Sequence, residues 1–153
     1  MKSITYGEVS FGRMCRLIRD YINKEKDAQY CITVGTDSQN FDFTKTVVVV
    51  VVWKVGNGGI FFYDVRKVTK INNIRQKIFF ETSLSLEMAR KLADTLENAA
   101  VKCDIDIHVD AGDDGPSSKI IPEIVGWVKS CGFECKTKPE SYAASSIANR
   151  YSK

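Results

Sequence analysis

Three carboxylates occupy positions where the flanking sequence is otherwise built for burial. Asp37 stands in "VGTDSQ", Val34–Gln39, at the end of an apolar strand, and eight residues further on the six valines Val47–Val52 begin. Asp110 closes the alternating run Asp104–Asp110, "DIDIHVD". Side-chain alternation puts Thr33, Gly35 and Asp37 on one face of their strand, and Asp106, His108 and Asp110 on one face of theirs. If those strands are neighbours, Asp37 and Asp110 meet across adjacent strand ends. The third acid is Glu81. At about 100° per residue, Ile74, Ile78, Met88, Ala89, Leu92, Leu96 and Ala99 form one helical stripe, and Glu81 lies inside it. Glu87, Asp94 and Glu97 project to the other side. Two aspartates and a glutamate are hard oxygen ligands that suit Mg²⁺ or Mn²⁺ and fit zinc poorly. Such a cluster activates water and neutralises a phosphodiester during in-line displacement.

Each acid also has a plainer reading. An aspartate at a strand end commonly makes an Asx-type turn, which would account for Asp37 or Asp110 alone. Glu81 would need no ligand if Phe79–Phe80 broke the helix, or if Lys77 met its charge in the interior. A core-facing carboxylate is otherwise expensive to desolvate. Residue types and spacing leave both readings open.

The elements that must position these acids are legible from periodicity. Ser10 can cap a helix from about Phe11 to Asn23, with Met14, Leu17, Ile18, Tyr21 and Ile22 on one face. Strands follow at Tyr30–Ser38, Val47–Val55 and Ile60–Val68, the last two joined through Asn57–Gly58–Gly59. Asn72 or Asn73 opens a long helix reaching about Val101. After the strand Asp104–Asp110, Ser118 can cap a helix carrying Ile121, Ile124, Val125 and Val128, which Gly132 ends. Phe133–Lys138 reads as a short fifth strand, and Pro139–Glu140–Ser141 begins a last helix. The first three strands form a meander. The fourth and fifth, joined by a crossover helix, must be parallel. The expectation is an α/β fold, a mixed five-stranded sheet with helices on its faces, in one domain over 1–153 with an N-terminal helical segment, 1–28, packed on it.

Bulk composition narrows the function classes. The 153 residues are 44% hydrophobic and 27% charged, ordinary for a globular domain. A formal charge of +3 is too small to point to nucleic acid by itself. Met1–Lys2–Ser3 is not followed by a signal-peptide core, and the apolar run Val47–Val55 is too short to span a membrane. The five cysteines are odd in number and contain no C-x-x-C pair, so a cytoplasmic protein with reduced thiols is expected. Cys131, Cys135 and His108 fall one ligand short of a closed zinc site, and packing roles are expected for the cysteines.

The order of elements, with "GTDSQ", "FETSLSLE" and "HVDAG" at these places, resembles the ribonuclease H-like superfamily. More narrowly, "GTDSQ", "VGWVKSCGF" and "KPESYAASSIANRYSK" are similar to the YkuK-type proteins of that superfamily, over about Tyr30–Lys153. The resemblance implies a ribonuclease H-like fold and a metal-dependent nuclease site built from Asp37, Glu81 and Asp110, holding Mg²⁺ or Mn²⁺ and acting on RNA or DNA. Such sites usually add a fourth acid from the last helix. The family often carries Asp within "SIANRY" where this chain has Asn149, a neutral oxygen donor, and Glu140 is a substitute candidate. Lys136, Lys138 and Arg150, with Lys129 and Lys153, could meet phosphates, although scattered lysines are usually only surface. Two further functions compete with a nuclease. One is a non-catalytic nucleic-acid-binding module with a degenerate site. The other is an ATP-handling relative suggested by "DAGDDGPS", which would need a second such domain to enclose nucleotide.

Overall fold

A computed structural model describes residues 1–56, 58–99, 101, 103–111, 115 and 117–138. Its centre is the valine run. Strand β4, Thr44–Lys54, carries Val47–Val52 with every valine at most 3% exposed, so both of its faces are covered. That is why the run shows no alternation of polar and apolar residues. It pairs antiparallel with β3, Tyr30–Asn40, from Tyr30↔Lys54 to Asn40↔Thr44, and with β5, Gly59–Val68, from Trp53↔Gly59 to Thr44↔Val68. The β4–β5 turn needs glycine. Gly56 and Gly58 take φ of +80° and +76°, and a Cβ on Gly59 would stand 2.1 Å from the Val52 carbonyl oxygen.

On the other side of β3 lies β6, Asp104–His108, paired in parallel from Cys31↔Asp104 to Gly35↔His108. Beyond it β7, Glu134–Lys136, is also parallel. The crossover argument therefore holds for β6 and β7. Among the described residues the sheet has seven strands where five were expected. Two two-residue strands, β1 (Lys2–Ser3) and β2 (Gly7–Glu8), extend the β5 edge in the order β2-β1-β5-β4-β3-β6-β7. Strands that short have no readable period.

Three helices build the main core. Helix α1, Phe11–Asn23, starts where Ser10 Oγ accepts from the Arg13 N–H at 3.1 Å. Helix α2, Ile74–Asn98, is capped in the same way by Asn73, which accepts from Gln76. Helix α3, Ile121–Ser130, departs from expectation, because Ser118 does not cap it. Ser118–Ile120 forms a 3₁₀ turn, and the α-helix follows with Pro122 in its first turn, where a missing N–H costs nothing. Met14 and Ile18 of α1, Ile78, Leu86 and Leu92 of α2, and Ile124 and Val128 of α3 join one buried cluster. Ile32, Val34, Val48, Val50, Val52, Ile105 and Ile107 of the sheet complete it. Val47, Val49 and Val51 project the other way, with Trp53, Phe61, Tyr63 and Val65. Segment 139–153, on which the last helix was expected, lies outside the described residues.

α2 and α3 are also tied at the surface. Arg75 bonds both Glu123 oxygens, at 3.2 and 2.7 Å, and lies over Phe79, whose ring stacks on Trp127. The fully buried Leu92 and the half-exposed Ile74 make a test of where α2 derives its stability. Leu92→Ala should lose about 2–5 kcal/mol, whereas Ile74→Ala should stay within about 0.5 kcal/mol of the parent. Urea midpoints at constant m-value check the contrast.

Candidate active site

The parallel pairing of β3 with β6 sets the site. Its last register pair is Gly35↔His108, so two residues further on Asp37 and Asp110 lie side by side where the strands end. β6 stops at His108, short of the expected Asp110, but the backbone continues in order. The Val109 N–H donates to the Lys136 carbonyl at 2.9 Å and the Lys138 N–H to that of Ala111 at 2.8 Å. Asp110 is thus held between two anchored residues. Its carboxylate lies close enough to the Asp37 carboxyl for its charge to raise that group's pKa, and Lys138 Nζ stands 2.9 Å from its Oδ1.

Glu81 approaches from the helix side. Ile32, Val34, Thr36 and Ser38 face α2, and the last two meet its buried Ser85 and Glu81. Thr36 Oγ1 lies 2.8 Å from Ser85 Oγ, and the Ser38 hydroxyl donates to Glu81 in a short hydrogen bond. Two residues of strand advance about 6.6 Å and four residues of helix about 6.0 Å, so the two rungs match when helix and strand run antiparallel. Lys77, one turn before Glu81, faces the same acids and lowers the cost of their charge.

Burial dominates the electrostatics. Asp37 and Glu81 are each 6% exposed. Desolvation pushes Glu81 up from 4.5 to about 8. The Ser38 hydrogen bond works against that rise, and the charges of Asp37 and Asp110 add to it. Desolvation and then the charge of Asp110 push Asp37 from 3.8 to about 6. The Asp110 carboxylate in turn holds Lys138 above its usual value. Glu81 is therefore a core-facing acid, neither on a broken helix nor neutralised by a direct Lys77 ion pair.

The oxygens gathered here suit a hard dication and no soft one. Asp37 and Asp110 are adjacent donors. Glu81 is within electrostatic reach of both but is engaged by Ser38. Among the described residues no three His, Cys, Asp or Glu side chains stand close enough together to hold one ion. The donor chemistry thus fits Mg²⁺ or Mn²⁺, through the aspartate pair first.

The other expected site residues divide clearly. Lys138 is at the acids. Lys136 is two register positions back, opposite His108. Lys129 lies far off, lining a cleft of about 880 Å³ with Asp104, Asp106 and Glu134 at the opposite end of β6. Glu87 is exposed and pairs with Lys91. Asn149, Arg150, Glu140 and Lys153 lie outside the described residues. Ser38 is the partner that periodicity alone did not single out. Its signal was a polar residue continuing the helix-facing row of Ile32 and Val34.

Comparison with known proteins agrees with this architecture. The chain is 29% identical to the uncharacterised protein YkuK of Bacillus subtilis (strain 168), over 99% of this chain and 95% of that protein. Solved structures of the Mos1 transposase catalytic domain, with raltegravir and Mn or Mg, align over 92% of this chain and 67–68% of theirs. Their identity is 12% and their TM-scores are 0.32 and 0.31, too low to carry an argument about the site. No described helix is long and apolar enough to cross a membrane. The model of the ribonuclease H-like family matches residues 13–153, nearly the whole sequence, and the chain belongs to that family.

Proposed function

We propose that the protein is a Mg²⁺- or Mn²⁺-dependent nuclease that cleaves phosphodiester bonds in nucleic acid. The observation that carries this reading is the Asp37–Asp110 pair, two carboxyl groups brought side by side where the parallel strands end, close enough for the charge of Asp110 to raise the Asp37 pKa. Carboxylates that close must share a proton or a cation. Asp37 and Asp110 would hold the ion, and Glu81, on Ser38, would complete its surroundings. A dication held there would supply a water-derived nucleophile near neutral pH and neutralise the phosphoryl oxygens. Burial raises the Glu81 pKa, and positive charge beside it would favour its ionised form. Lys77 and Lys138 supply positive charge to the phosphate.

A second reading, a nucleic-acid-binding module without catalysis, draws on one specific contact. Lys138 already sits on Asp110 as a built-in counter-cation and would compete with a metal for that oxygen. Cleavage of labelled single-stranded, duplex and hybrid substrates across a Mg²⁺ titration separates the two. The nuclease reading expects cleavage that EDTA abolishes. Binding without cleavage at any Mg²⁺ or Mn²⁺ concentration favours the module.

Asp37→Asn keeps the shape of the side chain and removes the charge a hard dication requires. It should abolish metal-dependent cleavage and weaken Mg²⁺ binding by calorimetry, with the circular dichroism spectrum unchanged. Retained affinity would remove Asp37 from the metal site.

The raised carboxyls also give stability a definite pH dependence. Asp37 and Glu81 bind protons more tightly folded than unfolded, so their contribution is full below about pH 4 and is lost as pH climbs through about 6 and then 8. Most of the loss comes from Glu81 and is on the order of a few kcal/mol. In EDTA, Glu81→Gln should therefore gain Tm over the parent at pH 9 and lose that advantage at pH 5. Mg²⁺ should raise the parent's Tm most at the alkaline end. Parallel Tm profiles for parent and variant would contradict the assignment.

A further inference from the structure

The face of the sheet that carries Asp37 continues past it to a row of residues that the proposed chemistry does not use. In the β3–β4–β5 register, Asp37 stands opposite Val47 and Val47 opposite Val65. The next residues on the same face are Gln39, Lys45 and Lys67, also directly opposite one another. They lie about 7 Å further along the strands. Lys45 and Lys67 thus stand in direct cross-strand register and place two positive charges side by side. The next turn holds the aromatic pair Phe41 and Phe43, with ring centroids 5.7 Å apart and Lys67 Nζ 4.9 Å from the centre of the Phe43 ring. Phe41 is 46% exposed.

This turn is not a loose tip. The Phe41 N–H donates to the Phe43 carbonyl at 2.7 Å. Asn40 Nδ2 donates to the Ile71 carbonyl, Thr44 Oγ1 donates to Asn40 Oδ1, and the Ile71 N–H donates to Thr44 Oγ1, all within 2.9 Å. The buried Thr44 thereby ties the hairpin to the segment leading into α2. An exposed phenylalanine is held in place beside the ring that Lys67 covers, at the Asp37 end of the sheet.

We propose that Phe41, Phe43, Lys45 and Lys67 form a binding strip for single-stranded nucleic acid, with an unpaired base stacked on Phe41 and backbone phosphates on the two lysines, leading the strand to Asp37 and Asp110. A rigid exposed ring offers a stacking platform that a base inside a duplex cannot reach, and the paired lysines match a polyanion. Asp42, exposed at the tip, opposes the phosphates and limits the affinity. The strip deepens the nuclease reading by naming the strand form that the site takes, and it rests on that reading only for the purpose of binding.

The test reads binding without cleavage. Fluorescence anisotropy of labelled oligothymidylate, in EDTA and across a salt titration, compares the parent with Phe41→Ala, Lys45→Gln and Lys67→Gln. Phe41→Ala should weaken binding about ten-fold or more. Each lysine variant should reduce the slope of log affinity against log salt by about 0.7. Asp37→Asn, which leaves the strip intact, should bind at least as well as the parent. Because Lys67 touches Phe43, circular dichroism and Tm confirm that each variant is folded, and Lys67→Arg should restore binding if charge is what matters. Unchanged affinity in Phe41→Ala, or duplex bound as tightly as single strand, overturns the proposal. Strip-dependent binding with no metal-dependent cleavage would instead retain the strip and remove the nuclease reading. Metal-dependent cleavage indifferent to all three substitutions would do the reverse.

Discussion

The site depends on one constraint, the desolvation of carboxyl groups at the end of a sheet whose interior is almost entirely aliphatic. Asp37 and Glu81 have lost nearly all contact with water, and Asp110 adds like charge beside them. A lone carboxylate in such a place takes up a proton, pairs or binds a cation. Each polar group around the three acids answers that demand. Ser38 hydrogen-bonds Glu81, Lys138 pairs with Asp110, and Lys77 faces both buried acids. The aliphatic β4 makes the acids costly, and the short β6 lets them meet.

How much of this was legible in the sequence follows from the range of each interaction. Asp37 beside Asp110 was readable only on the condition that their strands are neighbours, since alternation shows which face each acid takes but not which strands pair. The parallel β3–β6 register meets that condition. Glu81 was readable because one acid in an apolar helical stripe is conspicuous. Ser38 escaped because its partner is 43 residues away and faces the opposite side of the strand from Asp37. The start of α3 was misplaced because Ser118 looks like a cap, whereas Pro122 suits the first turn of a helix that begins later. The β1–β2 hairpin left no trace, since two residues cannot show a period. Asn149 rested on resemblance, and Arg150 on its charge.

Helix α2 does more than carry Glu81. Its rungs to Thr36 and Ser38 fix the helix lengthwise along β3, and Arg75 fixes its first turn to α3. A helix held by greasy contacts alone can slide or rotate at modest cost, because dispersion is not directional. Hydroxyl-to-hydroxyl and hydroxyl-to-carboxyl contacts are directional. The apolar stripe gives α2 its adhesion, and the polar rungs give Glu81 its address.

The two outermost described strands have a consequence of a different kind. β2 is two residues long and β7 three, and β1 meets β5 at a single register pair, Lys2↔Tyr63. A guest strand joining a sheet edge to edge needs a run of free peptide groups as its template. Borders as brief as β2 and β7 supply no such run. β5 is different: it is ten residues long and β1 meets it at one pair, so most of its outer edge has no described strand beside it. A guest strand would find its template there, on the far side of β4 from β3 and β6.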